Sequence, residues 1–321
     1  MADRGRVVTG LGDVDPASSV VCVGFFDGVH RGHQTIIRRA VRHAQGTGVR
    51  SVVVTFDRHP MEVVNPGSQP KLLMTLARRA ATLASLDVDL VVVMPFDDDL
   101  RHLSPDAFVD HVLAGRLRAQ HVIVGANFRF GHRAAGDVAV LNELGPQRGF
   151  TTEAVTLLEV EGAVVSSTEI RGAVERGDVE RAARLLGRPH LVDGVVVRGD
   201  RRGVGLGFPT ANVQTGRRVA IPERGVYAGA FHLSDGTLQP CATNVGVNPT
   251  FGGQDLRIEA YLLDWSGDLY GMGAAVDFRH RLRDELTFDG ADALVEQMHA
   301  DVAEARRLLG AHASGETPPR S

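Results

Sequence analysis

Lysine is almost missing from this chain: Lys71 is the only one, and arginine supplies the rest of the positive charge. A G-x-x-x-x-G-K-[ST] phosphate loop is therefore excluded by inspection, and a Schiff-base enzyme is disfavoured. Cysteine is nearly as scarce. Cys22 and Cys241 are far apart, each within a strand-like apolar stretch, and form neither a disulfide framework nor a metal cluster. A reducing, cytoplasmic setting is expected from that usage. No apolar run approaches the roughly 18–20 residues that cross a bilayer, and the first residues lack a signal-peptide core, so no membrane partner is expected. Nor does any strand-like stretch interleave aromatic with basic residues, and the net charge is −4. Both facts argue against a nucleic-acid partner.

What is present suits a globular enzyme of two domains. The chain has 321 residues, 43% of them hydrophobic, and a mean hydropathy of −0.04, enough for two cores of ordinary size. The first half alternates strand-like runs (Val20–Val23, Ser51–Phe56, Leu90–Met94, Val122–Val124, Ala154–Leu158) with helical patterns (Gln34–Ala44, Leu76–Leu86, Pro105–Leu113). Such alternation predicts a Rossmann-like α/β domain with a parallel sheet, and places a ligand at the carboxyl ends of its strands. After short helical patterns at Thr168–Glu175 and Val179–Leu186, Arg188-Pro189 breaks the texture. Short β-like runs separated by Gly, Pro and Asn follow, which predicts a small antiparallel β-barrel. An amphipathic C-terminal helix carries Leu294, Val295, Met298, Val302, Ala305 and Leu308 on one stripe. The expected domains are residues 1–187 and 188–313, with a disordered tail at 314–321.

The chemistry concentrates where the first strong strand turns into a helix. Val20–Val23 end at Gly24, and Phe25-Phe26-Asp27-Gly28-Val29-His30-Arg31-Gly32-His33 leads straight into the stripe Ile36, Ile37, Ala40, Val41, Ala44. Such a junction offers free backbone N–H groups and the positive end of a helix dipole, a setting for phosphate. His30 and His33, three residues apart, lie on one side of the first turn and can donate to a single anion. Asp27-Gly28 supplies turn chemistry for close backbone approach. A lone histidine in such a place is usually structural. The pair flanking Gly32 reverses that reading and points to nucleotidyl transfer.

The stretch Gly24–His33 resembles the nucleotidyltransferase signature of prokaryotic bifunctional riboflavin kinase/FMN adenylyltransferases. The resemblance continues through Thr55–Pro60, Gly125–Gly131 and Ser166–Arg171, and on through the second half. Arg58 departs from it, standing where the family usually has proline. The resemblance implies that an FMN phosphate attacks the α-phosphorus of ATP, so positioning and charge neutralisation carry the catalysis. It further implies His30, His33 and Arg171 as catalytic, and Gly24, Asp27, Gly32, Ser167 and Thr168 at the nucleotide phosphates. His59, Asn127 and Phe128 are implied at the flavin. Ser167 and Thr168 can equally cap a helix, and Phe130 is expected in the core.

In the second half, Gly199–Gly207 joins a glycine-rich loop to Phe208-Pro209-Thr210-Ala211-Asn212, which resembles the riboflavin kinase signature. Gly203, Gly205 and Gly207 can wrap ATP phosphates through backbone N–H groups, and Thr210 and Asn212 offer oxygen ligands to Mg²⁺. The basic residue often found in that family near Val204-Gly205 is missing. Riboflavin's 5′-hydroxyl is a neutral nucleophile and benefits from a carboxylate that takes its proton. Glu259 is the candidate, in a strand whose apolar partners Leu256, Ile258, Ala260 and Leu262 lie on the other face. Asn248 is placed at the flavin.

The implied activity is phosphorylation of riboflavin to FMN followed by adenylylation of FMN to FAD and pyrophosphate. The expected partners are ATP, riboflavin and FMN, with Mg²⁺ as cofactor and at most a weak association between copies. Two alternatives remain open at this point: an enzyme retaining one of the two activities, and a flavin- or nucleotide-binding regulator.

Overall fold

The computed structural model describes residues 4–199, 205, 207–216, 218–247 and 256–313. Gly203, Asn248 and the expected tail at 314–321 lie outside the described residues. Packing divides the chain into two compact units. One takes in the chain up to Pro70 together with Thr75–Ser167, and the other Lys71–Met74 together with the chain from Thr168 onward.

In the first unit, β1 (Arg6–Thr9), β2 (Ser19–Val23), β3 (Arg50–Phe56), β4 (Leu90–Met94), β5 (Ala119–Gly125) and β6 (Thr151–Val155) form one sheet in the order β1-β4-β3-β2-β5-β6. Every pairing in it is parallel. The central strands are runs of buried valine, as a sheet covered on both faces requires; all of Val52, Val54 and Val92 are 0% exposed. The helices and helical turns that connect them are α1 (Arg31–Thr47), α2 (Pro60–Val64), α3 (Leu76–Ala84), α4 (Asp98–His102), α5 (Pro105–Phe108) and α6 (Val138–Gln147). Helix α1 buries Ile37, Ala40, Val41 and Ala44 and ends on Gly48 at φ +69°, a left-handed cap that glycine adopts without strain. The chain winds outward from β2 to β3 and β4 on one side and returns to β5 on the other. The topological switch point, where open α/β sheets bind ligands, therefore lies between β2 and β5.

Three local expectations are corrected. The edge strand β1 was not foreseen, because only Val8 of its four residues is buried. Strand β6 begins three residues before the run read from the sequence, its exposed Thr151 and half-buried Glu153 masking the pattern. The helix foreseen over Pro105–Leu113 is α5 followed by a π-helical segment, Val109–Arg116. Gly115 fits that segment, since a Cβ there would lie 2.6 Å from the Asp110 carbonyl oxygen five residues back.

After the small hairpin β7 (Glu159–Val160) and β8 (Ala163–Val164), helices α7 (Ser167–Glu175) and α8 (Val179–Leu186) lead into the barrel. Its strands are β9 (His190–Val197), β10 (Ala211–Thr215), β11 (Gly225–His232), β12 (Leu238–Val247), β13 (Leu256–Leu262) and β14 (Gly273–Phe278). Their order is β12-β13-β10-β9-β14-β11, and a β11–β12 pairing closes the ring, with β15 (His280–Arg283) added on β11. All these pairings are antiparallel. Closure removes the free edges that an open sheet exposes. Tyr227, Phe231, Val276, Phe278 and Ile258 fill the interior. The terminal helix α9 (Ala291–Ala313) packs Ala305 and Leu309 against Ala228, Ala242 and Leu263. The N-terminal part of its stripe is only half-buried; Leu294, Met298 and Val302 line a cavity instead.

The described units differ from the boundary expected at 187/188, since the chain from Thr168 through α8 packs with the barrel. At the start of β9, His190 is 1% exposed and its Nε2–H donates to the Ala220 carbonyl at 2.8 Å. Burial drives its pKa down to about 4. The unfolded chain then takes a proton near pH 6.5 that the folded chain refuses until about pH 4. Stability should accordingly fall as pH drops through that window, by about 3 kcal/mol in all. Urea unfolding of the wild type and of His190→Gln between pH 7 and 4 checks this: the variant's curve should be flatter.

Candidate active sites

The loop after β2 is bent by backbone that few residues adopt. Phe26 has φ +57° and Val29 φ +41°, with Gly28 at φ +79° between them. Positive φ at a β-branched residue is strained and persists only when surrounding structure enforces it, a pattern that clusters at ligand sites. The bend delivers His30 to the N-cap of α1, where its Nδ1 accepts from the His33 backbone N–H at 3.3 Å. The His30 and His33 rings stack, centroids 3.5 Å apart and planes 20° from parallel. Burial, then the neighbouring His30, pushes the His33 pKa well below its usual value, so the ring is neutral at pH 7. His33 Nδ1 is buried with no hydrogen-bond partner among the described residues. Gly32 lets the pair sit across the helix start, because a Cβ there would lie 3.2 Å from the His30 ring. The backbone N–H groups of Arg31 and Gly32, in the first helical turn, have no intrahelical acceptor.

Other expected members of this site take different parts. The Gly24 N–H donates to the Val54 carbonyl, and a Cβ there would lie 2.9 Å from the Phe26 ring, so packing requires glycine at this position. Asp27 opens the short helical turn Asp27–Val29 and is 3% exposed. Its carbonyl accepts the Ser167 hydroxyl at 2.9 Å, so the Ser167 proton is already engaged. Thr168 and Arg171 follow on α7, with Arg171 Nη2 donating to Thr168 Oγ1 at 3.3 Å; both are counted in the second unit. His59 caps α2, its Nδ1 accepting from the Met61 N–H, and its ring meets the edge of Phe25 at 4.8 Å. Arg58 is exposed and holds Asp57 at 2.8 Å, leaving the His59 cap intact. Asn127 is exposed just past the end of β5, and Phe128 is half-buried, stacked at 5.6 Å on the core residue Phe130.

The barrel site follows from strand register. On β13, Ile258, Ala260 and Leu262 are buried, and Glu259 and Tyr261 alternate with them as half-buried residues. Glu259 lies directly opposite Asn212 on β10 and Asn244 on β12. Directly opposed residues share a sheet face, so the carboxylate sits between two amides. A cavity of about 510 Å³ opens beside them, lined among others by Phe208, Thr210, Asn244, Glu259 and Tyr261. Phe208 fixes the Pro-Thr-Ala-Asn segment by packing edgewise on Tyr261 at 5.1 Å and His299 at 4.9 Å. Asn212 Oδ1 is buried with no hydrogen-bond partner among the described residues. Gly207 has φ +84°, and Gly205 is exposed with open space where a Cβ would lie.

Two buried charges, Asp301 beside this cavity and Arg79 in the first unit, are not foreseen from the sequence. Arg283 on β15 forks onto Asp301 of α9, with Nε to Oδ1 at 2.9 Å and Nη2 to Oδ2 at 2.7 Å, and both line the cavity. Arg79 of α3 is 1% exposed. Each of Asp301 and Arg79 falls on the buried stripe of an amphipathic helix, four residues before Ala305 and Leu83 respectively. A charge on an apolar stripe was the available signal.

A parallel α/β sheet whose switch-point loop presents a phosphate-type helix start, joined to a barrel whose cavity wall carries Glu259 with amides opposite it on both neighbouring strands, has the two sites of a two-step transferase. A family model described as FAD synthetase matches residues 13–169, and one described as riboflavin kinase matches residues 186–309. A Pseudomonas fluorescens protein named bifunctional riboflavin kinase/FMN adenylyltransferase is 42% identical, over 94% of this chain and 97% of its own. A Listeria monocytogenes protein of the same name is 38% identical over 91% and 93%. The chain belongs to the bifunctional riboflavin kinase/FMN adenylyltransferase family. A crystal structure from Streptococcus pneumoniae, described as a macrolide-efflux protein, shares the fold with TM-score 0.85 and 30% identity over 94% of this chain and 98% of that one. Among the described residues no helix is long and apolar enough to cross a membrane.

Proposed function

We propose that the chain phosphorylates riboflavin to FMN in the barrel and joins FMN to AMP, giving FAD and pyrophosphate, in the α/β unit. The observation that carries this reading is the setting of Glu259: a carboxylate on the cavity side of β13, with Asn212 and Asn244 opposite it on both neighbouring strands. Glu259 accepts the proton of the riboflavin 5′-hydroxyl as that oxygen bonds to the γ-phosphorus of ATP and the bond to the β-phosphate oxygen breaks, releasing ADP. Asn244 and the cavity wall hold the flavin side. We place adenylyl transfer in residues 1–187 and phosphorylation in residues 188–313.

Magnesium fits the barrel site. Asn212 Oδ1 is a buried oxygen without a partner among the described residues, and the Thr210 hydroxyl lies on the cavity wall. Among the described residues no three His, Cys, Asp or Glu side chains are grouped to hold a metal. Thr210 and Asn212 would hold Mg²⁺ that arrives with nucleotide, its charge offsetting that of the triphosphate.

In the α/β unit the nucleophile is already an anion, so no general base is required. The FMN phosphate oxygen bonds to the α-phosphorus of ATP, and pyrophosphate departs. His30, His33 and the open N–H groups of the α1 start receive the phosphate charge. Thr168 and Arg171, hydrogen-bonded to each other on α7, are the other residues we assign to the phosphates. A cytoplasmic location and, at most, weak self-association go with this reading, the former supported by two buried free thiols that suit a reducing compartment. Incubation with riboflavin, ATP and Mg²⁺, followed by chromatography over time, tests it. FMN should appear first and FAD after a lag; FMN without FAD, or neither, would refute the two-step assignment.

A further inference from the structure

At the carboxyl ends of β2 and β3 sits a second cation that the chemistry above does not use. Arg79 extends from α3 so that its Nη2 donates to the carbonyl of Phe56, the last residue of β3. Its guanidinium lies over the Phe25 ring, Cζ 4.1 Å from the centroid, in the loop that carries His30. It is 1% exposed. Nε and Nη1 are buried without a hydrogen-bond partner among the described residues. Burial lowers its pKa to about 10, with Asp27 and Asp57 opposing the shift, so the group is charged at neutral pH.

Electrostatics from nearby carboxylates favours the charge but gives those two N–H groups no acceptor. A buried cation with vacant donors is destabilising, and an apolar side chain of similar length would pack there more favourably. Nε–H and Nη1–H lie on different edges of the guanidinium, and each can donate to one oxygen of a phosphate. The reaction assigned to this unit brings two phosphate-bearing reactants together and therefore calls for two anion-binding centres. The α1 start with its histidine pair is one. Arg79 is the other, on the β3 side, behind the Phe25 ring that also meets His59.

We propose that Arg79 binds the 5′-phosphate of FMN during adenylyl transfer and so selects the phosphorylated flavin over riboflavin. The proposal rests on the assignment of adenylyl transfer to the crevice at His30 and His33. Its test uses full-length Arg79→Met, Arg79→Lys and a His30→Ala/His33→Ala double variant. FAD formation from supplied FMN is measured for KM of each substrate, alongside thermal unfolding and riboflavin phosphorylation as a folding control. Arg79→Met should raise KM for FMN at least tenfold, leave KM for ATP within twofold, and unfold at the same or a higher temperature. Arg79→Lys should recover most of the FMN affinity by restoring the charge. An unchanged KM for FMN, or an equal rise for ATP, overturns the proposal. So does a lowered unfolding temperature without an FMN effect, which would make Arg79 a tether for Phe56. If Arg79→Met fails to fold, the Lys variant decides: a rise of a few-fold confined to FMN supports the assignment, and wild-type constants refute it. Persistent FAD formation in the double histidine variant would instead overturn the crevice assignment itself.

Discussion

Glu259→Ala and Glu259→Gln should each lower riboflavin phosphorylation by about a hundred- to ten-thousandfold, the usual contribution of a positioned proton acceptor. FAD formation from supplied FMN should stay at the wild-type rate. The glutamine variant is the sharper test. It keeps the size of the side chain and its capacity to bond across to Asn212 and Asn244, and removes only the ability to take a proton. A kinase that tolerates glutamine there would be using another base, and the barrel assignment would fail. Loss of both activities in a folded variant would show that the two reactions are not housed separately.

The second large effect concerns the stacked histidines. His30→Ala combined with His33→Ala should reduce FAD formation by at least a hundredfold, on the scale of removing preorganised donors to a developing anion, with FMN accumulating from riboflavin. His30 also caps α1, and alanine at such a position costs about 1 kcal/mol of helix stability. His30→Asn with His33→Ala keeps a capping side chain and separates the two effects. Normal FAD output from that pair would remove the histidines from the chemistry. A loss seen with alanine but not with asparagine would reduce His30 to a cap.

Much of this was legible in the residues, for reasons that differ from place to place. Buried parallel strands announce themselves as valine runs, and the turn from Gly24 to His33 combines strand end, turn chemistry and paired imidazoles within ten positions. The alternation around Glu259 likewise placed it opposite the core-facing residues, as β13 bears out. Strand register was not legible. Nothing in the sequence sets Asn212 and Asn244 directly across from Glu259, because pairing depends on contacts between distant segments. Backbone strain at Val29 and the tethering of Ser167 to Asp27 were hidden for the same reason. Arg79 and Asp301 were overlooked in another way: each interrupts an apolar helix face, and periodicity counts treat such a residue as noise when it is a deliberate charge.

The second unit is assembled from two separate lengths of chain. Besides the residues from Thr168 onward it claims Lys71–Met74, where the Leu72 N–H donates to the Arg218 carbonyl and the Leu72 carbonyl accepts from Ala220. Leu73 and Met74 of that short length are 2% and 3% exposed. A fragment begun at residue 188 would therefore lack α7, α8 and a tetrapeptide supplied from more than a hundred positions upstream. A single cut at that point parts the barrel from segments that pack with it.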